Sequence, residues 1–358
     1  MVRNPTIFIR ISSYENISMA FGFGKANQEG RRWSPALYGW GFAIVQFFAL
    51  GTVMFLSRTQ WFLTHDDYPG MYQTGYSLRL KHADCAIVIY GDSSSLTGLD
   101  PDVIQGITGL KTCNISEGTT IQDVVGSRFP LDTYLENNTR PVYLLAMYTS
   151  SIYKPYVDPY DAYQPEGMLY ALQYLPNREL YRLFLRRREW FLDFDIWAGR
   201  QLISDFLSRY VPGGGHHSSI DTREQRDSRH GVWPYPLPPE TTCVRTEYHL
   251  DPIGMSRYGD SVTKMRELYG VGGTTVLLNI APVPDCDTLQ QTYREKSEGL
   301  HDNRFEALPI SFFNEGDVHF SSTGSRYISI EAGNQILALE RQRQATEAQD
   351  GRAPGQPQ

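Results

Sequence analysis

The chain has 358 residues, 41% of them hydrophobic and 20% charged, which excludes a disordered protein and allows one large or two modest domains. Its formal net charge of −7, with no stripe of Lys and Arg, argues against a nucleic-acid partner. The four cysteines, Cys85, Cys113, Cys243 and Cys286, lack the short paired spacing of a zinc site, so no metal is expected. No cofactor is expected either.

Residues 1–32, within an amino-terminal segment taken to residue 35, are polar and irregular and end on Arg31 and Arg32, after which no charged residue appears until Arg58. Within that gap, residues 36–57 are long and apolar enough for a single membrane-spanning helix, with Ser34-Pro35 as its cap and first residue. Arg3, Arg10, Lys25, Arg31 and Arg32 precede it and only Arg58 follows closely. That bias predicts a cytoplasmic amino terminus, a single-pass anchor in the inner membrane and a periplasmic or extracytoplasmic domain. Residues 58–82 read as a linker.

An α/β pattern then begins. Strands are expected at Ala83–Tyr90, Lys111–Ile115 and Pro141–Thr149, with helices at Pro101–Ile107, capped by Asp100, and at Thr119–Asn137, interrupted at Pro130. Strands alternating with helices indicate a parallel sheet with right-handed crossovers. A largely helical insertion spans 151–258. Its helical stretch Glu179–Tyr210 carries Arg186-Arg187-Arg188, which reads as a solvated turn, part of a cap over the site, or a basic aromatic face near lipid headgroups. Val211–Pro239, rich in Gly, Pro and His, reads as a mobile loop, and His216, His217 and His230 there lack a second ligand cluster. The pattern resumes with a helix at Asp260–Tyr269, strands at Thr274–Ala281 and Glu306–Phe313, and a helix at Thr323–Gln342. Residues 344–358 read as a disordered tail. Cys85 and Cys113 fall in strands as small buried thiols, while Cys243 and Cys286 fall in loops that an exported domain could join.

The chemistry concentrates in two segments. Ala86–Tyr90 runs as a buried strand into Gly91-Asp92-Ser93, placing a serine at the edge where open α/β sheets hold ligands. Asp317-Val-His319, after the last strand, offers an imidazole to take the serine proton and a carboxylate to orient it. Ser94 or Ser95 could replace Ser93 by a shift of register, and Glu315 could replace Asp317. Asp92 reads as a loop-stabilising carboxylate.

With Asn114-Ile-Ser-Glu-Gly118 after the second strand, these motifs give a chain that resembles the SGNH, or GDSL-like, hydrolase superfamily. The resemblance covers roughly residues 83–150 and 272–340, within a domain at 83–343. It implies a flavodoxin-like three-layer α/β fold with a central parallel sheet, Ser93 as nucleophile, His319 as base, Asp317 as orienting acid, a Gly118 N–H on the oxyanion, and a structural Asn114. The family's third block supplies an asparagine, whereas this chain has Ala146-Met-Tyr-Thr-Ser-Ser151, so Thr149 and Ser150 stand as candidates for the third oxyanion donor. The Asp-x-His spacing, the anchor and the insertion are similar to the extracytoplasmic O-acyltransferase branch, which includes D-alanyl-transfer and alginate-acetylation accessory proteins. The expected function is thus O-acyl transfer, in particular O-acetylation, from an acyl-serine to a polysaccharide or other glycan, with a multipass membrane acyltransferase as partner. An esterase or deacetylase, and a non-catalytic assembly subunit on the same fold, are the alternatives.

Overall fold

In the computed structural model the described residues are 35–59, 75–149, 154–210, 226–232, 239, 243, 252–287, 299–314 and 319–349. Two units are present, Met1–Ala49 and Leu50–Gln358; the first contributes the start of the helix Pro35–Ser57 (α1). The elements that follow are β1 (Ile87–Gly91), α2 (Ser93–Gly98), α3 (Pro101–Thr108), β2 (Thr112–Asn114), α4 (Thr119–Val125), α5 (Arg128–Asn137), β3 (Tyr143–Tyr148), α6 (Pro165–Tyr174), α7 (Asn177–Arg186), α8 (Arg188–Tyr210), α9 (Pro252–Tyr269), β4 (Thr275–Ile280), β5 (Asn303–Arg304) and α10 (Ser322–Gln349).

The five strands form one sheet in the order β2-β1-β3-β4-β5, every pair parallel. This is the order of flavodoxin-type doubly wound sheets, whose direction of winding reverses between β1 and β3. Alternation along each strand separates two cores. Val88, Tyr90, Leu144, Ala146 and Leu278 face Leu131 and Tyr134 of α5 and Met265 of α9. Ile87, Ile89, Leu145, Met147 and Leu277 face Ile104 of α3 and Ile328, Ala332 and Ile336 of α10. The result is a three-layer α/β/α arrangement. The insertion builds its own core from Met168, Leu169, Leu172, Leu183, Trp190 and Phe194, joined to α4 through Ile121 and Val124.

Several elements differ from expectation. The helix expected over 119–137 breaks at Gly126, where φ is +79°, and Pro130 instead occupies the first turn of α5, where a missing N–H breaks no helical hydrogen bond. The fifth strand is only Asn303–Arg304; residues 306–313 are mostly irregular, with a 3₁₀ turn at Ile310–Phe312. The last helix continues to Gln349, so the tail is helical over its first residues, and 350–358 lie outside the description. The linker contains a helical turn, Tyr76–Arg79, whose Tyr76 and Ser77 are buried. Cys85 and Cys113 are not separate thiols but a pair, with Cα atoms 5.9 Å apart, and Cys243 pairs with Cys286 at 6.2 Å.

The expected membrane segment coincides with α1, 23 residues without a charged side chain. Among the described residues no helix is long and apolar enough to cross a membrane. The side chains of ten α1 positions lie outside the description, so the anchor rests on the sequence.

Candidate active site

Because every strand is parallel, the segments that follow β1, β2, β3 and β5 all leave the same edge of the sheet. Gly91 ends β1 with almost no room beside it: a Cβ there would stand 2.0 Å from the Met147 carbonyl oxygen and 2.7 Å from Ser95 Cβ. A residue without a side chain is what lets α2 start directly against β3.

Asp92 then caps α2. One carboxylate oxygen accepts the Ser94 N–H (2.9 Å) and the Ser94 hydroxyl (2.5 Å). The other accepts the Thr149 N–H (2.9 Å) and the Thr149 hydroxyl (3.1 Å). Asp92 is fully buried, and a buried carboxylate needs such partners. Both donors of Thr149 are therefore engaged by Asp92 rather than directed at the sheet edge. Ser150 lies outside the described residues.

The same packing sorts the three consecutive serines. Ser94 donates to Asp92, and Ser95 accepts from the Ser116 hydroxyl at 2.9 Å; both are fully buried. Ser93, first residue of α2, is half-buried, and its hydroxyl has no hydrogen bond among the described residues.

The loop after β2 is fixed by polar side chains. Asn114 Nδ2 donates to the Ser95 and Leu99 carbonyls, 2.9 Å each, and its Oδ1 accepts the Ser116 N–H at 3.0 Å. Gln122 Nε2 bridges the Gly91 carbonyl (2.8 Å) and the Glu117 carbonyl (3.2 Å). Gly118, half-exposed, immediately precedes α4. The first N–H groups of α2 and α4 have no acceptor within their own helices, so Ser93 and Gly118 each present a donor there.

Beneath this loop sits an ion pair with no signature in the sequence. Arg226, from the insertion, and Glu117 are both fully buried, with Nη1 and Oε2 3.4 Å apart. Arg226 also donates to the Ser116 carbonyl (2.7 Å) and the Gly231 carbonyl (2.9 Å) and lies over the Tyr76 ring. Burial pushes the Glu117 carboxyl up to about 8, against the pull of the Arg226 guanidinium. Burial likewise pushes Arg226 down. Residues 226–232, expected inside a mobile loop, are thus a clamped turn. The His230 carbonyl accepts the Asn114 N–H (2.9 Å), and His230 Nδ1 contacts Asp102 at 2.7 Å. His216 and His217 lie outside the described residues.

His319 is half-buried next to the Phe313–Phe320 bridge, and its carbonyl accepts the Asn314 N–H at 2.8 Å. Asp317 and Glu315 fall outside the described residues, so the structure does not place the carboxylate partner. Phe320 packs so closely on α2 that a Cβ on Gly98 would be 2.6 Å from its ring. A cleft of about 230 Å³ runs between these elements, lined by Thr97, one turn after Ser93, by Phe320, and by Asp100, Arg229 and Arg326. The structure thus brings the Ser93 helix, the Gly118 loop and the start of α10 to one edge. No protein-family model matches this sequence, and no curated protein matches it.

Proposed function

We propose that the protein is a membrane-anchored, extracytoplasmic serine O-acyltransferase of the SGNH type acting on a glycan. The observation that carries the reading is the sorting of the serines: Ser94 and Ser95 are locked into buried hydrogen bonds, and Ser93 is left half-exposed at the start of α2. A hydroxyl at the carboxyl edge of β1, beside the winding reversal, stands where doubly wound sheets place their chemistry.

In this reading the Ser93 oxygen attacks the acyl carbonyl while its proton passes to His319, held in orientation by Asp317. The N–H groups of Ser93 and Gly118 receive the oxyanion. Collapse expels the donor's leaving group, which takes the proton from the imidazolium. A glycan hydroxyl then gives its proton to His319 and attacks the acyl-serine, and Ser93 departs reprotonated. Hydrolysis follows the same path with water as acceptor.

Two features support an exported, anchored domain. The uncharged stretch between Arg32 and Arg58 has its basic flank on the amino-terminal side. Both cysteine pairs suit an oxidising compartment. The inner membrane, with the domain on its periplasmic face, is the setting proposed, and a multipass acyltransferase is the proposed source of acyl groups.

A second reading, a non-catalytic assembly subunit, is favoured by one observation: both Thr149 donors are engaged by Asp92, which leaves two backbone donors for the oxyanion. Acyl release from an activated acyl ester separates the readings. Transfer predicts release that rises with added glycan acceptor and is lost in Ser93→Ala and His319→Ala. Acceptor-independent release means an esterase, and no release from the wild type favours the assembly subunit.

A further inference from the structure

We infer that the exposed face of α7 and α8 lies on an anionic lipid surface beside the point where α1 joins the domain; the inference rests on the anchored reading above. On α7, Arg178, Tyr181, Arg182 and Leu185 recur at intervals of three and four residues, which puts them on one helical face. On α8, Arg188, Leu192, Ile196 and Arg200 recur every four residues and form a second stripe. The apolar members are strongly exposed: Tyr181 62%, Leu185 62%, Leu192 55% and Ile196 51%, with Phe184 at 46%. The opposite sides of both helices are already buried, through Leu183, Trp190, Phe191 and Phe194. Phe184 packs edge-on against Phe191 of that core, ring centroids 5.3 Å apart, while Tyr181, Leu185, Leu192 and Ile196 are surplus to it.

Charge and position select the occupant. Residues 177–200 hold six arginines (178, 182, 186, 187, 188 and 200) against four acids (Glu179, Glu189, Asp193 and Asp195), a local excess of +2 in a chain whose net charge is −7. Arginine interleaved with aromatic and aliphatic residues on an exposed helical face is the composition of interfacial helices, whose guanidinium groups meet phosphates while the apolar side chains enter the headgroup layer. The face also adjoins the end of α1. Gln173 Nε2 donates to the Ser57 carbonyl at 3.3 Å, Arg58 donates to Asn177 at the first residue of α7 (3.3 Å), and Val53 and Met54 pack against the insertion core. A chain held by α1 in the bilayer keeps α7 and α8 within reach of the lipid headgroups.

The test uses the full chain in phosphatidylcholine vesicles containing phosphatidylglycerol, with the photoreactive residue p-benzoylphenylalanine at Leu185 or Ile196. The control site is Val271, also exposed (46%) but near the amino-terminal end of β4. Irradiation should give phospholipid adducts, identified by mass, at Leu185 and Ile196 in at least about fivefold higher yield than at Val271. Arg178→Glu combined with Arg188→Glu should lower that yield. Equal yields at the three sites, or crosslinks to protein in place of lipid, would overturn the inference. Alkaline carbonate washing keeps the two levels apart. A chain that resists washing but gives no adducts loses the lipid-facing surface and keeps the anchor. A chain that washes off yet gives adducts loses the anchor and keeps the surface.

Discussion

Asp92 and Thr149 are joined across the point where the sheet reverses its winding, the Thr149 N–H and hydroxyl both donating to one Asp92 oxygen at 2.9 and 3.1 Å. Asp92 ends the β1 side and Thr149 the β3 side of the crevice that doubly wound folds use for ligands. The other Asp92 oxygen holds Ser94. One buried carboxylate thus fixes α2, and with it Ser93, relative to the central strand pair. Asp92→Ala leaves four donors without their acceptor and should destabilise the fold by at least about 3 kcal/mol in denaturant unfolding.

Thr149→Val removes one of those bonds and keeps the backbone one. It should cost only about 1 kcal/mol of stability. If the hydroxyl serves Asp92 rather than an oxyanion, turnover should stay within a few-fold of wild type. Loss of a true oxyanion donor would instead cut turnover on the order of a hundredfold or more. Steady-state kinetics of this variant therefore report whether the third donor must be sought elsewhere.

Gly91 gives a purely steric prediction. An added methyl at 2.0 Å from the Met147 oxygen forces β1 and β3 apart or displaces α2. Gly91→Ala should cost about 1–3 kcal/mol, since overpacked interiors carry penalties of that size, and should lower reactivity at Ser93 as well. A variant as stable as wild type would show that the approach of the two strands is looser than the structure indicates.

Glu117 gives the fold a pH dependence of defined sign. Its carboxyl is raised from an ordinary value of 4.5 to about 8 by burial, so the folded state binds a proton that the unfolded state releases earlier. Its contribution to stability is then fully present below about 4.5 and is lost as pH rises through about 8. Melting temperatures across that interval should fall more for wild type than for Glu117→Gln, whose side chain does not titrate. Parallel pH profiles for the two proteins would mean that Arg226 holds Glu117 ionised throughout.

The parts of this fold legible in the sequence are those decided locally. Ala86–Tyr90, Pro141–Thr149 and Thr274–Ala281 are short apolar runs; the last two contain β3 and β4, and the first covers β1 except its final Gly91. Asp100 caps α3 through the Asp102 N–H, as an Asp-Pro pair before an apolar stretch implies. The parts not legible depend on distant partners. Arg226 stands in a polar stretch with no periodicity, yet it is fully buried because Glu117, 109 residues away, and the Ser116 carbonyl receive it. β5 is two residues long, too short to leave a pattern, and exists because Asn279 and Ile280 offer an edge to pair with. At the site, Gly91-Asp92-Ser93 marked the turn and the glycine spacing favoured Ser93 over Ser94 and Ser95; the hydrogen bonds that bury the other two, to Asp92 and Ser116, depend on packing that no spacing contains. Asp317 and Glu315, the carboxylates the sequence offers to His319, lie outside the described residues.

The central claim is that Ser93 alone of the three serines is an activated nucleophile. The measurement that tests it most directly is covalent labelling by a fluorophosphonate, with intact mass and peptide mapping, across wild type, Ser93→Ala, Ser94→Ala, Ser95→Ala and His319→Ala. One adduct is predicted on wild type, mapped to Ser93. It should be absent from Ser93→Ala, strongly reduced in His319→Ala, and retained on Ser94→Ala and Ser95→Ala, although both should be less stable through lost buried hydrogen bonds. Folded wild type that takes no label, or a label that persists in Ser93→Ala and maps to Ser94 or Ser95, would contradict it.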